Sequence, residues 1–368
     1  MRVAFIGTRG VPASYSGFET CVEQVGRRMV ERGHSVVVFC RSSHYTERRH
    51  EYLGMQLRYL PATKQKHLET LTHTALSVVG LPRNTAVICM GVGNAPVVRW
   101  LELRGRSTVF NVDGADWQRD KWGRFAQWYL RSCERMAAAG KSVVIADAIA
   151  VQDYYRRKYG RETELVRYGA DPPLDTGTET LQRFGLESRR YLLWVGRLVP
   201  ENAADQFLDG VRLSGIEVPA VVVGDASYQD EYKRDLRANA PAGTVLTGYQ
   251  FGPAYQQLTA HAGLFVLAAG VGGTHPVLVE QMAAGNAILA RETESNREVL
   301  GDAGLFWNTP AELAALLRKL WPDVDGRQEL GQRARRRALE LYNWDEVTTR
   351  YLQLCELSLA SNVASSPV

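Results

Sequence analysis

Short apolar runs alternate with longer amphipathic stretches through most of the chain. In the first half, runs of strand length lie at 2–6, 35–40, 56–60, 85–90, 108–112, 141–146 and 163–167. Between them, apolar residues recur at helical spacing over 18–32, 65–80, 122–139 and 150–158. Strands that alternate with helices in this way are typical of parallel sheets with crossover helices. The pattern therefore predicts an α/β fold.

The pattern breaks near 169–190 into a polar stretch rich in turn residues, which indicates a domain boundary. A second series of strands is then predicted at 191–195, 218–223, 244–247, 264–268, 287–290 and 304–306. Its helices are predicted at 202–213, 228–238, 253–261, 276–284 and 310–320, with a last helical stretch at about 327–359. We predict two doubly wound domains at 1–172 and 173–345, followed by a helix and tail at 346–368. Ligands of such sheets bind outside the carboxyl ends of the strands.

Composition indicates the number of domains and the cell compartment. The 368 residues are too many for one ordinary core and suit two domains. Apolar residues make up 45% and charged residues 23%, which is a globular composition. The five cysteines are scattered, which fits a reducing cytoplasm and argues against a disulfide framework or a zinc cluster. Without a signal peptide or a long apolar run, we expect a cytoplasmic protein that spans no membrane.

Charge is unevenly divided between the two halves. Residues 1–171 hold 26 lysines and arginines against 16 aspartates and glutamates, which is a net charge of +10. The remaining residues hold 18 against 24, which is −6. A basic half beside an acidic half is typical of a protein with an anionic partner, although a solvated surface with uneven charge explains it equally well.

The loop after the first strand is a first candidate for a ligand-binding site, because it contains Gly7 and Gly10 and is followed by Gly17. A glycine loop between a strand and a helix can bring N–H groups and the positive helix end to a diphosphate. The spacing is not the dinucleotide-binding G-x-G-x-x-G pattern. A plain tight turn is the alternative.

A second candidate follows the first strand of the second series, at Gly196 and Arg197. Gly196 lets the backbone pass close to a ligand. A guanidinium at the carboxyl end of a strand is suited to clamp two phosphoryl oxygens in a bidentate way. The alternative role for Arg197 is a surface salt bridge.

The segment 270–285 carries the most specific signal. It follows the apolar run at 264–267 and opens a helix, so its glycines and the helix N-terminus predict an anion site. Glu280 lies about one turn into that helix, where a carboxylate can accept two hydrogen bonds from a ribose diol. The alternative is a buried structural acid, which would need a partner. Gly285 is predicted to cap the helix C-terminus.

These motifs resemble glycosyltransferase family 4. The resemblance lies in Gly-Arg-Leu-Val-Pro-Glu at 196–201, the glycine-rich turn, the Pro-x-x-x-Glu helix start at 276–280 and the closing Ala-Ala-Gly at 283–285. It implies the GT-B fold, which is two facing Rossmann-like domains with a C-terminal helix crossing back to the first. It also implies transfer from a nucleotide-sugar donor with retention of anomeric configuration. The glycine motif at 7–20 and the segment 113–122 are similar to the bacterial rhamnosyltransferase-like subgroup, which builds cell-surface polysaccharide.

The resemblance implies a role for each matching residue. Arg197 would grip the donor diphosphate, and Glu280 would bind the ribose. Asp113 and Asp116 could orient the acceptor hydroxyl or the donor sugar, with helix capping as the alternative for Asp116. The residues expected at the donor are Gly17, Gly196, Arg197, Gly272, Gly273, Thr274, His275 and Glu280.

Three positions depart from the family pattern. Gly272 stands where relatives outside the subgroup carry a Glu that often touches sugar hydroxyls. Asn202 and Ala203 lie where a Lys commonly follows the Arg, and His275 stands where the subgroup tends to carry Asn. The resemblance to the rhamnosyltransferase-like subgroup, together with the missing carboxylate at Gly272, implies a deoxyhexose such as rhamnose as the donor sugar.

No metal or other cofactor is expected. Asp323-Val324-Asp325 has the Asp-x-Asp form of metal-dependent transferases, but it follows Trp321-Pro322 and is interpreted as a turn. The histidines show no metal-ligand spacing. The spacing of three tryptophans predicts core positions, with stacking on an acceptor sugar as an alternative for the first two: Trp117, Trp122 and Trp128.

The partners implied are a nucleotide diphosphate sugar and a glycan or lipid-linked glycan acceptor, with no nucleic acid. Segment 65–80 places apolar residues at helical spacing after basic ones, which suits a helix at an anionic bilayer. We expect a weak peripheral contact of the first domain with the inner membrane face; the alternative is that this stripe packs inward. The competing functions are a non-catalytic nucleotide-sugar-binding homologue and a nucleotide-sugar 2-epimerase of the same fold.

Overall fold

The chain forms two compact units. The structure is a computed structural model and describes residues 1–13, 17–63, 69–112, 123–174, 176–226, 229–270 and 273–364. One unit comprises Met1–Tyr168 together with Trp344–Val368, and the other comprises Gly169–Asn343. Both boundaries fall within a few residues of 172 and 345, and the last helix belongs to the first unit.

The first unit is built on an eight-stranded sheet in the order β3-β4-β2-β1-β5-β6-β7-β8. Its strands are β1 (Arg2–Ile6), β2 (Ser35–Arg41), β3 (Glu51–Tyr52), β4 (Met55–Leu60), β5 (Thr85–Met90), β6 (Val109–Asn111), β7 (Val143–Ala146) and β8 (Glu164–Leu165). Neighbouring strands are parallel except for β3 and β4. The pattern did not predict β3, because two partly polar residues at an exposed sheet edge leave no apolar period to detect.

Helices cover both faces of this sheet. They are α1 (Gly17–Glu31), α2 (Glu69–Ser77), α3 (Ala95–Leu103), α4 (Arg124–Ala139) and α5 (Ile149–Tyr159). Apolar residues of α3, α4 and α5 form one core with one face of the strands, and residues of α1 form another core with the opposite face.

The position of Trp128 corrects the expectation that it is a core residue. The side chains that α4 buries are Leu130, Cys133, Glu134 and Ala137. Trp128 lies on the other side of the helix and is 61% exposed. Spacing alone gives the period of a helix but not the direction in which each stripe faces. Trp117 and Trp122 lie outside the described residues.

The second unit has a six-stranded, all-parallel sheet in the order β11-β10-β9-β12-β13-β14. Its strands are β9 (Leu192–Val195), β10 (Ala220–Val223), β11 (Thr244–Gly248), β12 (Leu264–Leu267), β13 (Ile288–Arg291) and β14 (Leu305–Trp307). The central strands are buried on both faces, which explains why they appear as continuous apolar runs.

Eight helices of the described residues accompany this sheet. They are α6 (Glu179–Arg183), α7 (Ala204–Ser214), α8 (Asp230–Ala238), α9 (Gly252–Ala260), α10 (Pro276–Ala283), α11 (Glu294–Leu300), α12 (Pro310–Leu320) and α13 (Val324–Leu341). Three helices of the chain were not predicted. They are α6 and α11, which are too short to show a period, and α3, whose apolar run lacks a clear one.

The last helical stretch is two helices, because the chain breaks at Tyr342 and α14 (Trp344–Ala364) follows. The Ala170 N–H donates to the Tyr342 carbonyl at 2.8 Å, which fixes the break. Helix α14 packs on α1, β5 and β6 of the first unit. Its Trp344 ring lies 4.8 Å from that of Tyr168, and its Tyr351 hydroxyl accepts from Asn111 Nδ2 at 3.0 Å. The predicted return of the C-terminal helix to the first domain is therefore confirmed, as is the α/β fold of two Rossmann-like parallel-sheet domains.

Candidate functional site

The strand order of the second unit reverses between β9 and β12. Leu192 pairs with Leu264 and Leu193 with Phe265, so the two strands end at the same edge of the sheet. The chain leaves β9 towards β10 on one side and leaves β12 towards β13 on the other. Such a reversal opens a crevice at the carboxyl edge, where ligands of open α/β sheets bind. The loops that begin there are those carrying the predicted donor residues.

Gly196 and Arg197 lie in the loop directly after β9. The side chain of Arg197 is 28% exposed, and its Nη2 lies 3.8 Å from Glu201 Oε1. That carboxylate is mostly buried, and its Oε1 makes no hydrogen bond. The Arg197 carbonyl accepts from Asn202 Nδ2 at 2.9 Å, which stiffens the loop. The salt bridge that was weighed as an alternative exists, but it is longer than a hydrogen bond.

The backbone of Gly224 passes very close to this loop. Gly224 has φ +137°, and a Cβ atom there would lie 1.9 Å from the Gly196 carbonyl oxygen. The Gly196 N–H donates to the Val223 carbonyl at 3.0 Å, and the Leu198 N–H donates to Asp225 at 3.1 Å. The end of β10 therefore supports the loop that presents Arg197, and only glycine fits at position 224.

The loop after β12 leads into α10. Pro276 is the first residue of this helix, where its missing N–H costs nothing, and His275 precedes it in an extended conformation. Gly273 and the buried Thr274 come directly before, whereas Gly272 lies outside the described residues. Gly285 follows the helix with φ +75°, which confirms its predicted role as the C-terminal cap.

Asn296 holds the beginning of the same loop. Its buried side-chain amide donates to the carbonyl of Ala269 at 3.3 Å and to that of Arg291 at 2.9 Å. The Asn296 N–H in turn donates to the capping hydroxyl of Thr293 at 3.1 Å. The amide thus ties the ends of β12 and β13 together. It was not predicted, because its partners are backbone groups that carry no sequence signal.

Glu280 has a partner that the sequence did not reveal. The Tyr255 hydroxyl on α9 donates to Glu280 Oε2 at 2.6 Å. Burial raises the pKa of the Glu280 carboxyl, and the hydrogen bond from Tyr255 opposes that rise. Burial and the nearby Glu280 charge raise the pKa of Tyr255 well above its usual value, so Tyr255 remains a donor. The side chain of Glu280 is oriented by this contact.

A network of buried polar side chains anchors α10 from behind. Gln281 Nε2 donates to Thr259 Oγ1 at 3.0 Å, and Asn286 Nδ2 donates to Gln281 Oε1 at 2.7 Å. Arg189 Nη1 donates to Asn286 Oδ1 at 2.9 Å. Buried polar groups that are satisfied in this way specify one packing of their elements. The network therefore fixes α10 against α9, which carries Tyr255.

The glycine loop of the first unit contacts two carboxylates of α1. The Arg9 N–H donates to Glu19 Oε1 at 3.3 Å, and the Ala13 N–H donates to Glu23 Oε2 at 2.9 Å. These contacts hold the loop against the helix, and the donor-diphosphate role of this loop stays a prediction. Gly17 begins α1, and its carbonyl accepts from Tyr168 at 2.7 Å.

The glycines of this loop are explained by packing. Gly7 has φ +93°, and a Cβ there would lie 2.3 Å from the Met90 carbonyl; at Gly10 it would lie 2.4 Å from Cys40 Sγ. The tight-turn interpretation is therefore sufficient for both positions.

The remaining predicted acids divide into two groups. Asp113 and Asp116 lie outside the described residues. Asp323 is the N-cap of α13 and accepts from the Gly326 N–H at 2.9 Å, and Asp325 lies in the first turn of that helix, so the segment begins a helix where a turn was predicted. Within the described residues, no cluster of three or more His, Cys, Asp or Glu side chains could hold a metal ion. No helix in that part of the chain is long and apolar enough to cross a membrane.

Two protein-family models match the chain, one in each unit, and they show its class of enzyme. The model of the family described as "Glycosyl transferase 4-like domain" matches residues 16–169. The model described as "Glycosyl transferases group 1" matches residues 189–323, which include Arg197 and Glu280. The chain belongs to the glycosyltransferases. The search of the curated proteins found no match to this chain.

Solved structures agree with this assignment at the level of the fold. Sucrose-phosphate synthase from Thermosynechococcus elongatus is 18% identical, with a TM-score of 0.82 over 98% of this chain and 99% of that one. HepE of Anabaena in complex with UDP-glucose is 17% identical, with a TM-score of 0.79 over 97% and 100%. WaaG, a glycosyltransferase involved in lipopolysaccharide biosynthesis, is 16% identical, with a TM-score of 0.70 over 98% and 99%. The glycosyltransferase therefore has the GT-B fold.

We predict that Gly224→Ala distorts the loop that carries Arg197. The new Cβ must displace the Gly196 carbonyl, so the free energy of unfolding should fall by about 3 kcal/mol and activity should fall with it. Gly215→Ala is the matched control, because Gly215 has φ +67° but no atom within 4 Å of its Cβ position. It should cost only about 1 kcal/mol and leave activity unchanged. Denaturant unfolding and initial rates measure both; equal losses in the two variants would contradict the prediction.

Proposed function

We propose that the enzyme transfers a sugar from a nucleotide diphosphate donor to a glycan or lipid-linked glycan, without a metal ion and with retention of anomeric configuration. The observation that carries this proposal is that the loop of Arg197 and the loop that opens α10 begin at the same edge of the paired strands β9 and β12. A guanidinium beside a helix N-terminus suits a diphosphate. The similarity to HepE, which has been solved with UDP and with UDP-glucose, supports the same donor class.

Each donor group is proposed to contact a different part of this crevice. The diphosphate lies against Arg197 and the amides at the start of α10, around Thr274 and His275. The ribose binds Glu280, whose carboxylate Tyr255 already orients. Gly196 lets the donor approach the backbone, while Gly17, Gly272 and Gly273 are further donor positions implied by the family resemblance.

Retention follows if the departing phosphate and the entering hydroxyl share one face of an oxocarbenium-like state. The leaving diphosphate then takes the acceptor proton, and no carboxylate nucleophile is needed. Catalysis rests on stabilising the charge that grows on the diphosphate, which is the proposed role of Arg197. Asp113 and Asp116 are proposed to orient the acceptor hydroxyl or the donor sugar.

The acceptor is proposed to be a glycan that grows at the cytoplasmic face of the inner membrane, attached to a lipid or destined for cell-surface polysaccharide. The basic first half of the chain suits an anionic, lipid-linked diphosphate acceptor. The similarity to WaaG, a glycosyltransferase involved in lipopolysaccharide biosynthesis, agrees with an acceptor of this class.

We predict that Arg197→Ala loses at least a factor of about ten in kcat. The lost stabilisation of the leaving diphosphate is worth roughly 3 kcal/mol, or about a hundredfold in rate, when a preorganised charge contact is removed. Arg190→Ala is the matched control, since Arg190 is an exposed arginine of the same unit that pairs with Glu187. Steady-state rates at saturating donor measure kcat for the wild type and both variants. A wild-type kcat in Arg197→Ala would rule out the proposed role.

The pKa of Glu280 predicts a pH dependence of donor binding. A ribose diol donates to the carboxylate, so affinity should fall as the pH drops through a pKa that burial has raised. In Tyr255→Phe the opposing hydrogen bond is gone, so the pKa rises further and the fall in affinity should begin at a higher pH. Glu280→Gln should bind donor more weakly than the wild type above that pKa and lose the dependence.

Calorimetric titration with UDP over a pH series measures these changes. Tyr232→Phe is the control, because the Tyr232 hydroxyl donates to Asp205 Oδ1 at 2.8 Å in a similar tyrosine–carboxylate pair on α8 and α7. If Tyr255→Phe and Tyr232→Phe give the same profile as the wild type, the Tyr255–Glu280 pair has no part in donor binding.

The preferred donor is predicted to be a deoxy sugar such as dTDP-rhamnose rather than UDP-glucose. The prediction rests on the resemblance to the rhamnosyltransferase-like subgroup together with Gly272, which offers no carboxylate to a sugar hydroxyl. A thermal-shift series over UDP-, dTDP- and GDP-sugars measures binding to the folded state. Slow hydrolysis of the bound donor without acceptor should accompany it and should survive EDTA. Strong dependence on added manganese would contradict the metal-free mechanism.

A further inference from the structure

Glu201 is a buried carboxylate in the loop that presents Arg197. Its side chain is 10% exposed. Its Oε1 is shielded from solvent, and it accepts no hydrogen bond from a described residue. Such an oxygen is costly to bury, because it has lost its hydrogen bonds to water and has gained none from the protein. An exception of this kind needs a reason, and a catalytic role is one of the recognised reasons.

Arg197 provides the counter-charge for this carboxylate. Its Nη2 lies 3.8 Å from Glu201 Oε1, a distance that is within the range of an ion pair but beyond that of a hydrogen bond. Because the carboxylate is mostly buried, water screens their attraction less than it would at the surface. The favourable contact of Oε1 is therefore electrostatic, and it depends on where the guanidinium lies.

A compact turn brings the two side chains together. Pro200–Asn202 form a short 3₁₀ helix, and the Ala203 N–H closes it by donating to the Pro200 carbonyl at 3.0 Å. Ala203 itself has φ +51°, in the left-handed region, which is unfavourable for a residue other than glycine. The turn places Glu201 against Arg197, four positions earlier, and the chain keeps this geometry in spite of the strain at Ala203.

Hydrogen bonds fix the backbone of Arg197 within this turn. Its carbonyl accepts from Asn202 Nδ2 at 2.9 Å and from the Val199 N–H at 2.8 Å. The next residue is held as well, since the Leu198 N–H donates to the Asp225 carbonyl at 3.1 Å. These contacts locate the main chain but do not determine where the long, flexible arginine side chain points. The neighbouring carboxylate provides a restraint on that direction.

Arg197 is the one cationic residue in the sequence of its loop. From Gly196 to Phe207, which covers the loop and the first turn of α7, the sequence contains no other arginine and no lysine or histidine. The positive charge that this loop can offer to a diphosphate therefore depends on the position of a single guanidinium. Its orientation matters more than it would in a loop with several cations.

We propose that Glu201 is a positioning residue, which holds the guanidinium of Arg197 in place for the donor diphosphate. If the guanidinium moved out into solvent, the buried carboxylate would lose its counter-charge, and an uncompensated buried charge is strongly unfavourable. The carboxylate thus restrains the guanidinium before the donor arrives. A charge that is already in place stabilises the leaving diphosphate without a cost of reorganisation. The kinetic part of this inference rests on the role of Arg197 in the proposed function.

The length of the contact is suited to this role. An arginine presents five N–H donors in a planar fork, and a bidentate carboxylate at hydrogen-bond distance would occupy one edge of that fork. At 3.8 Å, Glu201 attracts the guanidinium without forming such a pair. Its negative charge also opposes the binding of a diphosphate nearby. Loss of that charge should therefore loosen the arginine and remove a repulsion at the same time.

Glu201→Gln removes the charge and keeps the shape of the side chain. Hydrolysis of dTDP-rhamnose without acceptor, with UDP-glucose as the second donor, should slow about tenfold at saturation, because the preorganisation of a charge is lost. The affinity for UDP, measured by calorimetric titration, should change by less than about threefold, since the two effects of the lost charge oppose each other. Glu201→Asp keeps the charge and should hydrolyse the donor faster than Glu201→Gln.

A double-mutant cycle shows whether Glu201 acts through Arg197. In the Arg197→Ala variant, Glu201→Gln should cause no further loss of rate, because there is no guanidinium left to position. Unfolding in denaturant gives a second readout that needs no donor. Arg197→Ala should lower the unfolding midpoint by leaving the carboxylate without its counter-charge, and the addition of Glu201→Gln should raise the midpoint again.

The ion pair of Arg190 and Glu187 is the matched control. It lies in the same unit and joins Arg190 Nη1 to Glu187 Oε2 at 3.1 Å, but both side chains are exposed. Glu187→Gln should leave the hydrolysis rate and the affinity for UDP unchanged. The same cycle with Arg190→Ala should show little coupling in the unfolding midpoint, because exposed ion pairs contribute little to stability.

Three results would overturn the proposal. The first is a wild-type rate in Glu201→Gln when Arg197→Ala is slow. The second is the same loss of rate from Glu201→Gln with and without Arg197, because the carboxylate would then act independently of the guanidinium. The third is an unfolding midpoint of Arg197→Ala that Glu201→Gln does not raise. A wild-type rate in Arg197→Ala would instead contradict the proposed function, and the unfolding cycle would still test the ion pair.

Discussion

The pairing of β9 with β12 determines where the second unit can bind a ligand. These strands are adjacent in the sheet although β10 and β11 lie between them in the sequence. Their pairing brings the loop of Arg197 beside the loop that opens α10. The segments that follow the two strands continue toward opposite sides of the sheet, which leaves the carboxyl edge open between them. Without this pairing, the loop of Arg197 and the N-terminus of α10 would not begin at neighbouring strand ends.

Short backbone distances and one side-chain amide hold the loops at this edge in place. At Gly224 the end of β10 presses on Gly196, and at Asn296 one amide bridges the ends of β12 and β13. Behind α10, the buried network from Arg189 to Gln281 leaves a single way to pack the helix. A catalytic charge contributes most when its position is fixed before the reaction begins. The buried polar groups therefore fix the position of α10 and of the loops beside it.

Most strands could be predicted because burial on both faces produces a continuous apolar run in the sequence. Strands such as β10 and β12 are buried on both faces and appear as unbroken apolar runs, whereas β3 lies at an edge and was missed. The positions of Arg197 and Glu280 followed from strand ends and helix starts. The Tyr255 contact could not be predicted, because it joins residues on two helices and depends on how those helices pack.

Two further positions show how much depends on side-chain direction. The glycines at 7 and 10 allowed either a phosphate loop or a tight turn, and two N–H groups of that loop donate to Glu19 and Glu23 of the following helix. Trp128 was assigned to the core from its spacing, yet α4 turns that stripe outward. A repeat of 3.6 residues fixes which side chains share a face but not which medium that face meets.

That ambiguity has a physical resolution in the first unit. A helix that packs on a sheet in water gains by burying its apolar stripe, and α1 does so with Val22, Val25 and Met29. Helix α2 buries the polar side chains of His73, Thr74 and Ser77 and leaves Leu76 outside, while Leu71 packs against the core. The direction of each stripe is therefore decided by the neighbours that the helix meets in the folded unit and not by its spacing.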